Sequence, residues 1–126
     1  MKYLCLAYYH PEKMAAFSPA QRQALVSQCP PRDAALWKTG AMVLSASLGG
    51  EGGPFTVRPR GGKAMVTDGP YTEAKEVVGG FFIIDAPSRE DAIRLASMHP
   101  AAELGEDAGW GIEVFPIGFF QQAPAA

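Results

Sequence analysis

The chain is poor in several features that define large functional classes. Of its 126 residues only two are cysteines, Cys5 and Cys29, which argues against a disulfide-stapled scaffold and fits a reduced, cytoplasmic protein. No apolar run approaches the roughly 18 residues that a membrane-spanning helix needs. The N-terminal apolar segment is too short and too aromatic for a signal peptide. We therefore expect a cytoplasmic protein that neither spans nor binds a membrane.

Charge clusters and metal-ligand patterns are also scarce. The formal net charge is -2 and there is no lysine-arginine cluster, so direct nucleic-acid binding is not expected. The two histidines, His10 and His99, show no metal-ligand spacing with the carboxylates. The glycine-rich stretches lack the Lys-Ser/Thr ending of a phosphate loop. We expect neither a metal nor a cofactor.

What is present suits one globular domain, since 48% of the residues are hydrophobic. Hydrophobic periodicity predicts strands and helices in an alternating order. The strands are at residues 2–9, 41–47, 55–58, 64–67, 77–85 and 110–117, and the helices at 18–28, 32–39 and 88–99. This order predicts an α+β, ferredoxin-like β-α-β-β-α-β fold with an inserted β-hairpin. The domain should cover residues 1–120, with a disordered tail at 121–126.

Local signals predict several element boundaries. Ser18 should cap the first helix, and the Cys-Pro-Pro segment at 29–31 should end it. Gly79 and Gly80 inside a strand predict a β-bulge or a close approach. Pro100 should end the last helix, and His10 should lie on the surface. The first strand is apolar on both faces, which predicts a homodimer whose sheets pack face to face.

A polar loop at residues 67–76, Thr-Asp-Gly-Pro-Tyr-Thr-Glu-Ala-Lys-Glu, separates two apolar segments. Asp-Gly-Pro is turn chemistry, so a solvated turn is one interpretation. The other is a loop that carries site groups on a rigid sheet. On that interpretation the ligand-binding residues are Thr67, Gly69, Pro70, Tyr71, Glu73 and Lys75, together with Arg58 of the hairpin. Tyr71 could instead pack, the charges of Glu73 and Lys75 could simply be solvated, and Arg58 could keep an edge strand soluble.

Two residues are candidates for proton transfer. Asp68 could act as a base at a strand end, although an aspartate here could equally bond its own backbone. His99 falls on the apolar face of the last helix and could transfer protons near pH 7. It could instead be held at the helix C-terminus, where an imidazolium ion meets the helix dipole favourably.

Residues 67–76 closely resemble the T-D-G-P-F-A-E-T-K-E signature of the DGPF subfamily of YCII-related proteins. The resemblance extends over segments 1–6, 56–58, 78–82 and 111–117. It implies a bacterial protein that forms a dimeric α+β barrel. It also implies a small-molecule ligand, and in some relatives an acid-base pair of His and Asp. Subfamily members are often encoded beside extracytoplasmic-function sigma factors, which implies a possible association with such a factor.

The chain departs from the family pattern at two instructive positions. Relatives often have Gly-His where this chain has Gly40-Ala41, and arginine where it has Phe115. Two hypotheses follow from the resemblance and its departures. One is an enzyme that transfers protons on a small organic acid or phenol, as a lyase, isomerase or dehydrochlorinase does. The other is a regulatory or interaction module without catalysis.

Overall fold

The structure is a computed structural model that describes residues 1–125. The strands of this part of the chain are β1 (Lys2–Tyr9), β2 (Met42–Ser47), β3 (Phe55–Arg60), β4 (Lys63–Asp68), β5 (Val77–Asp85) and β6 (Gly111–Pro116). The helices are α1 (Pro11–Ala15), α2 (Pro19–Val26), α3 (Cys29–Lys38), α4 (Arg89–Ala96) and α5 (Pro100–Glu103), and a 3-10 turn follows at Glu106–Ala108. Over the described residues, none of the helices has the length and apolarity to cross a bilayer.

Four strands form one antiparallel sheet in the order β2-β5-β1-β6. This is the strand order of a ferredoxin-like α+β fold, so the predicted fold is confirmed. Strands β3 and β4 form a separate two-stranded sheet, the predicted inserted hairpin. Gly61 and Gly62 make its turn with φ of 59° and 78°, values that glycine adopts without strain.

The hydrophobic core lies between the four-stranded sheet and the helices. Alternate residues of β1 and β5 point into it, and α3 and α4 cover them. Its fully buried large side chains are Phe82, Leu36, Ile84 and Cys5. Burial raises the pKa of the Cys5 thiol to about 12, and the thiols of both Cys5 and Cys29 are free. The opposite face of β1 is only half-buried in the single chain, so burial on both faces is not achieved without a further cover.

A β-bulge interrupts the pairing of β1 with β5, as the two glycines predicted. Ala7 pairs with Gly80 and Tyr8 with Val78, which leaves Gly79 as the extra residue. A Cβ atom at Gly79 would lie 2.8 Å from the ring of Tyr9. One at Gly80 would lie 2.9 Å from the carbonyl oxygen of Ala46. The close approach of the Tyr9 ring to residue 79, and of the Ala46 carbonyl oxygen to residue 80, therefore favours glycine at both positions.

Two predicted helix ends are wrong for the same physical reason. The segment 29–31 begins α3 instead of ending α2, which already ends at Val26. Pro100 likewise begins α5, while α4 ends at Ala96. Proline is favourable in the first helical turn, where its missing N–H group needs no partner. A proline that follows a helical pattern can therefore start the next helix.

His10 is buried, so its predicted surface position is also wrong. Its Nδ1 atom accepts a hydrogen bond of 3.3 Å from the backbone N–H of Lys13 and caps α1. The backbone N–H of His10 donates to the carbonyl oxygen of Ala108 at 2.9 Å. The 3-10 turn and α1 enclose this side chain. Of the predicted tail, residues 121–125 form no helix or strand, and residue 126 lies outside the described residues.

Candidate functional site

A cavity of about 520 Å³ lies where the sheet meets α1, α3 and α5. Its volume is within the range of about 300–1,000 Å³ that small-ligand pockets occupy. Its walls combine aromatic rings with a few polar side chains. The side chains that carry this chemistry belong to Tyr9, Cys29, Asp33, Trp37, His99 and Trp110. The cavity therefore has the composition expected of a site for a small organic molecule.

The wall formed by Trp110 depends on a glycine in the preceding turn. Gly105 has φ of +73°, and its carbonyl oxygen accepts a hydrogen bond of 3.0 Å from the N–H of Trp110. The indole ring occupies the space that a side chain at residue 105 would need, because a Cβ atom there would lie 2.3 Å from it. The turn thus positions one aromatic wall of the cavity.

His99 is held in the cavity wall by two contacts. Its ring stacks on Phe82 with centroids 4.6 Å apart and planes inclined by 5°. Its Nδ1 atom accepts a hydrogen bond of 3.0 Å from the backbone N–H of Ala101 and caps α5. A neutral imidazole that accepts at Nδ1 carries its proton on Nε2. His99 is therefore oriented as a hydrogen-bond donor through Nε2.

The surroundings of His99 favour the neutral ring. Burial lowers its pKa, and the negative charge of Asp33 opposes that effect only in part. His99 follows the last turn of α4, where its backbone N–H donates to the carbonyl oxygen of Ala96 at 3.1 Å, and it is also the N-cap of α5. Near neutral pH the ring is thus a neutral donor.

Asp33 was not predicted as a site residue, although it lines the cavity with His99. Within residues 1–125 its carboxylate has neither a hydrogen bond nor an ion pair. The neighbouring Arg32 pairs instead with Glu103, at 3.8 Å between Nε and Oε2. Burial and Asp33 raise the pKa of the Cys29 thiol, against the opposing charge of Arg32. The cavity therefore holds a carboxylate, a neutral histidine and a protonated thiol.

A signal for Asp33 was available in the sequence. Asp33, Leu36 and Trp37 are spaced i, i+3, i+4, so they share one face of a helix. Leu36 is 1% exposed and packs in the core, whereas Trp37 on the same face is 50% exposed. An acidic residue one helical turn from a core position is a candidate site residue.

The structure places the predicted loop residues elsewhere. Of the candidates, His99 lines the cavity, whereas Arg58 and residues 67–76 lie outside the described wall. Arg58 donates to the carbonyl oxygen of Tyr71, and its guanidinium group lies 4.0 Å from the centre of that ring. Thr56 donates to the carbonyl oxygen of Gly69 at 2.8 Å. The loop and hairpin are therefore joined to each other and not to His99.

The side chains at the centre of the loop are exposed. Asp68 ends β4, and in the described part of the chain its carboxylate has no hydrogen-bond partner. Thr67, Pro70, Glu73 and Lys75 are also exposed, and Gly69 has φ of +103°. Glu73 and Lys75 form no ion pair among residues 1–125. The roles predicted for these residues stay predictions.

Two other depressions in the surface lack the histidine that lines the cavity beside α3 and α5. One of about 520 Å³ lies against α4, α5 and β6, and one of about 750 Å³ lies beside α1 and the 3-10 turn. Neither wall includes a histidine in the part of the chain that is described. Over the same residues, no three His, Cys, Asp or Glu side chains are grouped as metal ligands.

Comparison with known proteins gives structural likenesses and a family. The chain is similar in structure to 5-chloro-2-hydroxyhydroquinone dehydrochlorinase from Burkholderia phenoliruptrix AC1100, solved in complex with 2,5-dihydroxybenzoquinone. The TM-score is 0.49 and the identity 14%, over 93% of each chain, which leaves open what the present chain binds. A search of curated proteins finds no match. The model of the YCII-related domain matches residues 1–115, and the chain therefore belongs to the YCII-related family.

Proposed function

We propose that the protein binds a small organic molecule in the cavity between the sheet, α3 and α5. The observation that carries the proposal is the oriented, neutral His99 in an aromatic wall that also contains Asp33. Perturbed titratable groups that converge on a ligand-sized cavity mark binding and catalytic sites. In this proposal the site lies at the cavity, whereas the loop at 67–76 is a separate surface.

Proton transfer is within the chemical capacity of the site. The Nε2–H group of His99 can donate to a carbonyl or hydroxyl oxygen of the ligand and polarise it. The Asp33 carboxylate can accept a proton from the same ligand. An acid-base enzyme is thus the catalytic form of the proposal.

A thermal-shift screen tests the proposal with one-ring probes that carry hydroxyl, amine or carboxylate groups. A ligand at about ten times its dissociation constant stabilises the native state by about 1.4 kcal/mol. For a domain of this size we expect a rise in melting temperature of several degrees. The rise should disappear in His99→Gln, which removes the imidazole from the wall. It should persist in Asp68→Ala, which changes only the loop.

The same two variants separate the cavity from the loop. A probe that stabilises His99→Gln as well as the native chain, and fails to stabilise Asp68→Ala, would place the site at the loop and overturn the cavity proposal. Circular dichroism of each variant without a probe shows whether its fold is intact. The screen is carried out at one protein concentration, because melting temperature depends on concentration in an oligomer.

We further propose a homodimer that forms through the open face of the four-stranded sheet. The apolar side chains of that face belong to all four strands: Leu4, Leu6, Leu44, Phe81, Ile83 and Phe115. Leu44 and Phe115 are 36% and 43% exposed in the single chain. The face also carries Glu113 on the edge strand β6, opposite Leu6, where it accepts a hydrogen bond of 2.8 Å from the hydroxyl group of Tyr8. A largely apolar face is characteristic of an interface, and facing sheets give a two-fold contact.

Light scattering measures this assembly directly. We expect twice the mass of one chain at micromolar concentration, and the mass of a single chain for Leu6→Glu, which places a charge at the centre of the face. Ile93→Glu is a matched control, because Ile93 is exposed on α4 and outside the sheet. A monomeric native protein would contradict the proposed dimer.

The exposed hairpin favours a second candidate function, an interaction module. One face of this two-stranded sheet carries Phe55, Val57 and Val66, with exposed fractions of 67%, 53% and 61%. An isolated hairpin is only marginally stable in water, which favours a covering partner. The loop sequence supports membership of the DGPF subfamily, and through it an association with a sigma factor. A pull-down with an extracytoplasmic-function sigma factor tests this association. Equal capture of the factor by the native protein and by Phe55→Ser would exclude the hairpin as the binding surface.

A further inference from the structure

The cavity wall has an unbalanced charge. Among the described residues that line it, Asp33 is the one acidic side chain, and neither lysine nor arginine is present. Arg32, the neighbouring cation on α3, is directed to Glu103 and the backbone of Gln28. No side chain of the wall therefore supplies a positive charge to balance a ligand carboxylate.

The uncharged part of the wall is rich in aromatic rings. Tyr9, Trp37 and Trp110 all line the cavity. The negative faces of such rings attract an ammonium group, and tryptophan does so most strongly. The neutral His99 adds a hydrogen-bond donor without adding a competing positive charge.

We infer that the cavity selects a small organic cation, with its ammonium group beside Asp33 and its apolar or aromatic body among the ring side chains. The inference rests on the proposed function, since it names the ligand class of the same cavity. It also replaces the small organic acid considered from the sequence, because a carboxylate would meet Asp33 as a like charge. Burying a charge without a partner is unfavourable, whereas an ammonium group gives Asp33 the partner it lacks.

Isothermal titration calorimetry with benzylamine, benzyl alcohol and benzoate tests the charge preference on one ring. We expect benzylamine to bind roughly tenfold more tightly than benzyl alcohol, as a charge-assisted hydrogen bond in a half-buried site allows. Benzoate should bind more weakly than either. Asp33→Asn should lose most of the preference for benzylamine over benzyl alcohol and keep only the part that the aromatic rings supply. Added salt should weaken the binding of benzylamine and leave that of benzyl alcohol unchanged.

Asp107→Asn is the matched control, because it removes the same charge from an exposed position outside the cavity. This variant should keep the full preference for benzylamine. Equal or tighter binding of benzoate, or a preference for benzylamine that is undiminished in Asp33→Asn, would overturn the cation inference and leave the proposed function standing. Failure of all three probes to bind the native protein would overturn both.

Discussion

Replacing Phe82 by alanine is expected to destabilise the protein by about 3–5 kcal/mol, the usual cost of truncating a buried aromatic side chain. Phe82 is 1% exposed at the centre of the core and contacts the ring of His99. The variant loses the buried apolar area and leaves a cavity that its neighbours fill only in part. Because total stabilities are about 5–15 kcal/mol, this single change removes a large fraction of the folding free energy.

Urea unfolding followed by circular dichroism measures this loss. Phe119→Ala is the matched control, because Phe119 is 81% exposed and its truncation should change stability by less than about 0.5 kcal/mol. Equal effects of the two substitutions would contradict the described core. The stacking of His99 on Phe82 adds a second expectation. Where Phe82→Ala still folds, the NMR signals of the His99 ring should broaden or shift.

Much of the fold could be predicted from residue patterns. The alternation in β1 and β5 and the strand order follow from apolar periodicity, and Ser18 caps α2 with the predicted capping box. The helix boundaries at Pro30 and Pro100 could not be predicted in this way. Proline breaks one helix and begins another with the same chemistry, so only the tertiary path of the chain decides between the two.

The site was predicted less well, because its residues come from distant parts of the chain. His99 was predicted from a helix that should have extended to residue 99, and although α4 ends at Ala96, the cavity wall does contain His99. Asp33 and Trp110 are separated from His99 by 66 and 11 positions, and nothing in the local sequence joins them. The loop at 67–76 drew the prediction because it concentrates polar residues. A polar loop is distinctive in sequence whether or not a ligand meets it.

Replacing Gly105 by alanine is the second substitution for which we expect a large effect. Gly105 has φ of +73°, where an alanine is strained by about 1–2 kcal/mol. Its new methyl group would also overlap the ring of Trp110, which lies 2.3 Å from the Cβ position. Overpacking of this kind adds about 1–3 kcal/mol. We therefore expect a loss of about 2–5 kcal/mol and a fall in melting temperature of the order of 10 °C.

Gly111→Ala provides the control for that substitution. A Cβ atom at Gly111 meets nothing within 4 Å, and its φ lies outside the left-handed region. The control should therefore retain nearly the full melting temperature. Because the overlap displaces Trp110 and not the core, Gly105→Ala should also shift the tryptophan fluorescence. It should lower the affinity of any probe that binds in the cavity. A stable Gly105→Ala variant with unchanged fluorescence would mean that the indole ring does not form this wall, and the cavity would lose one of the surfaces that define its ligand.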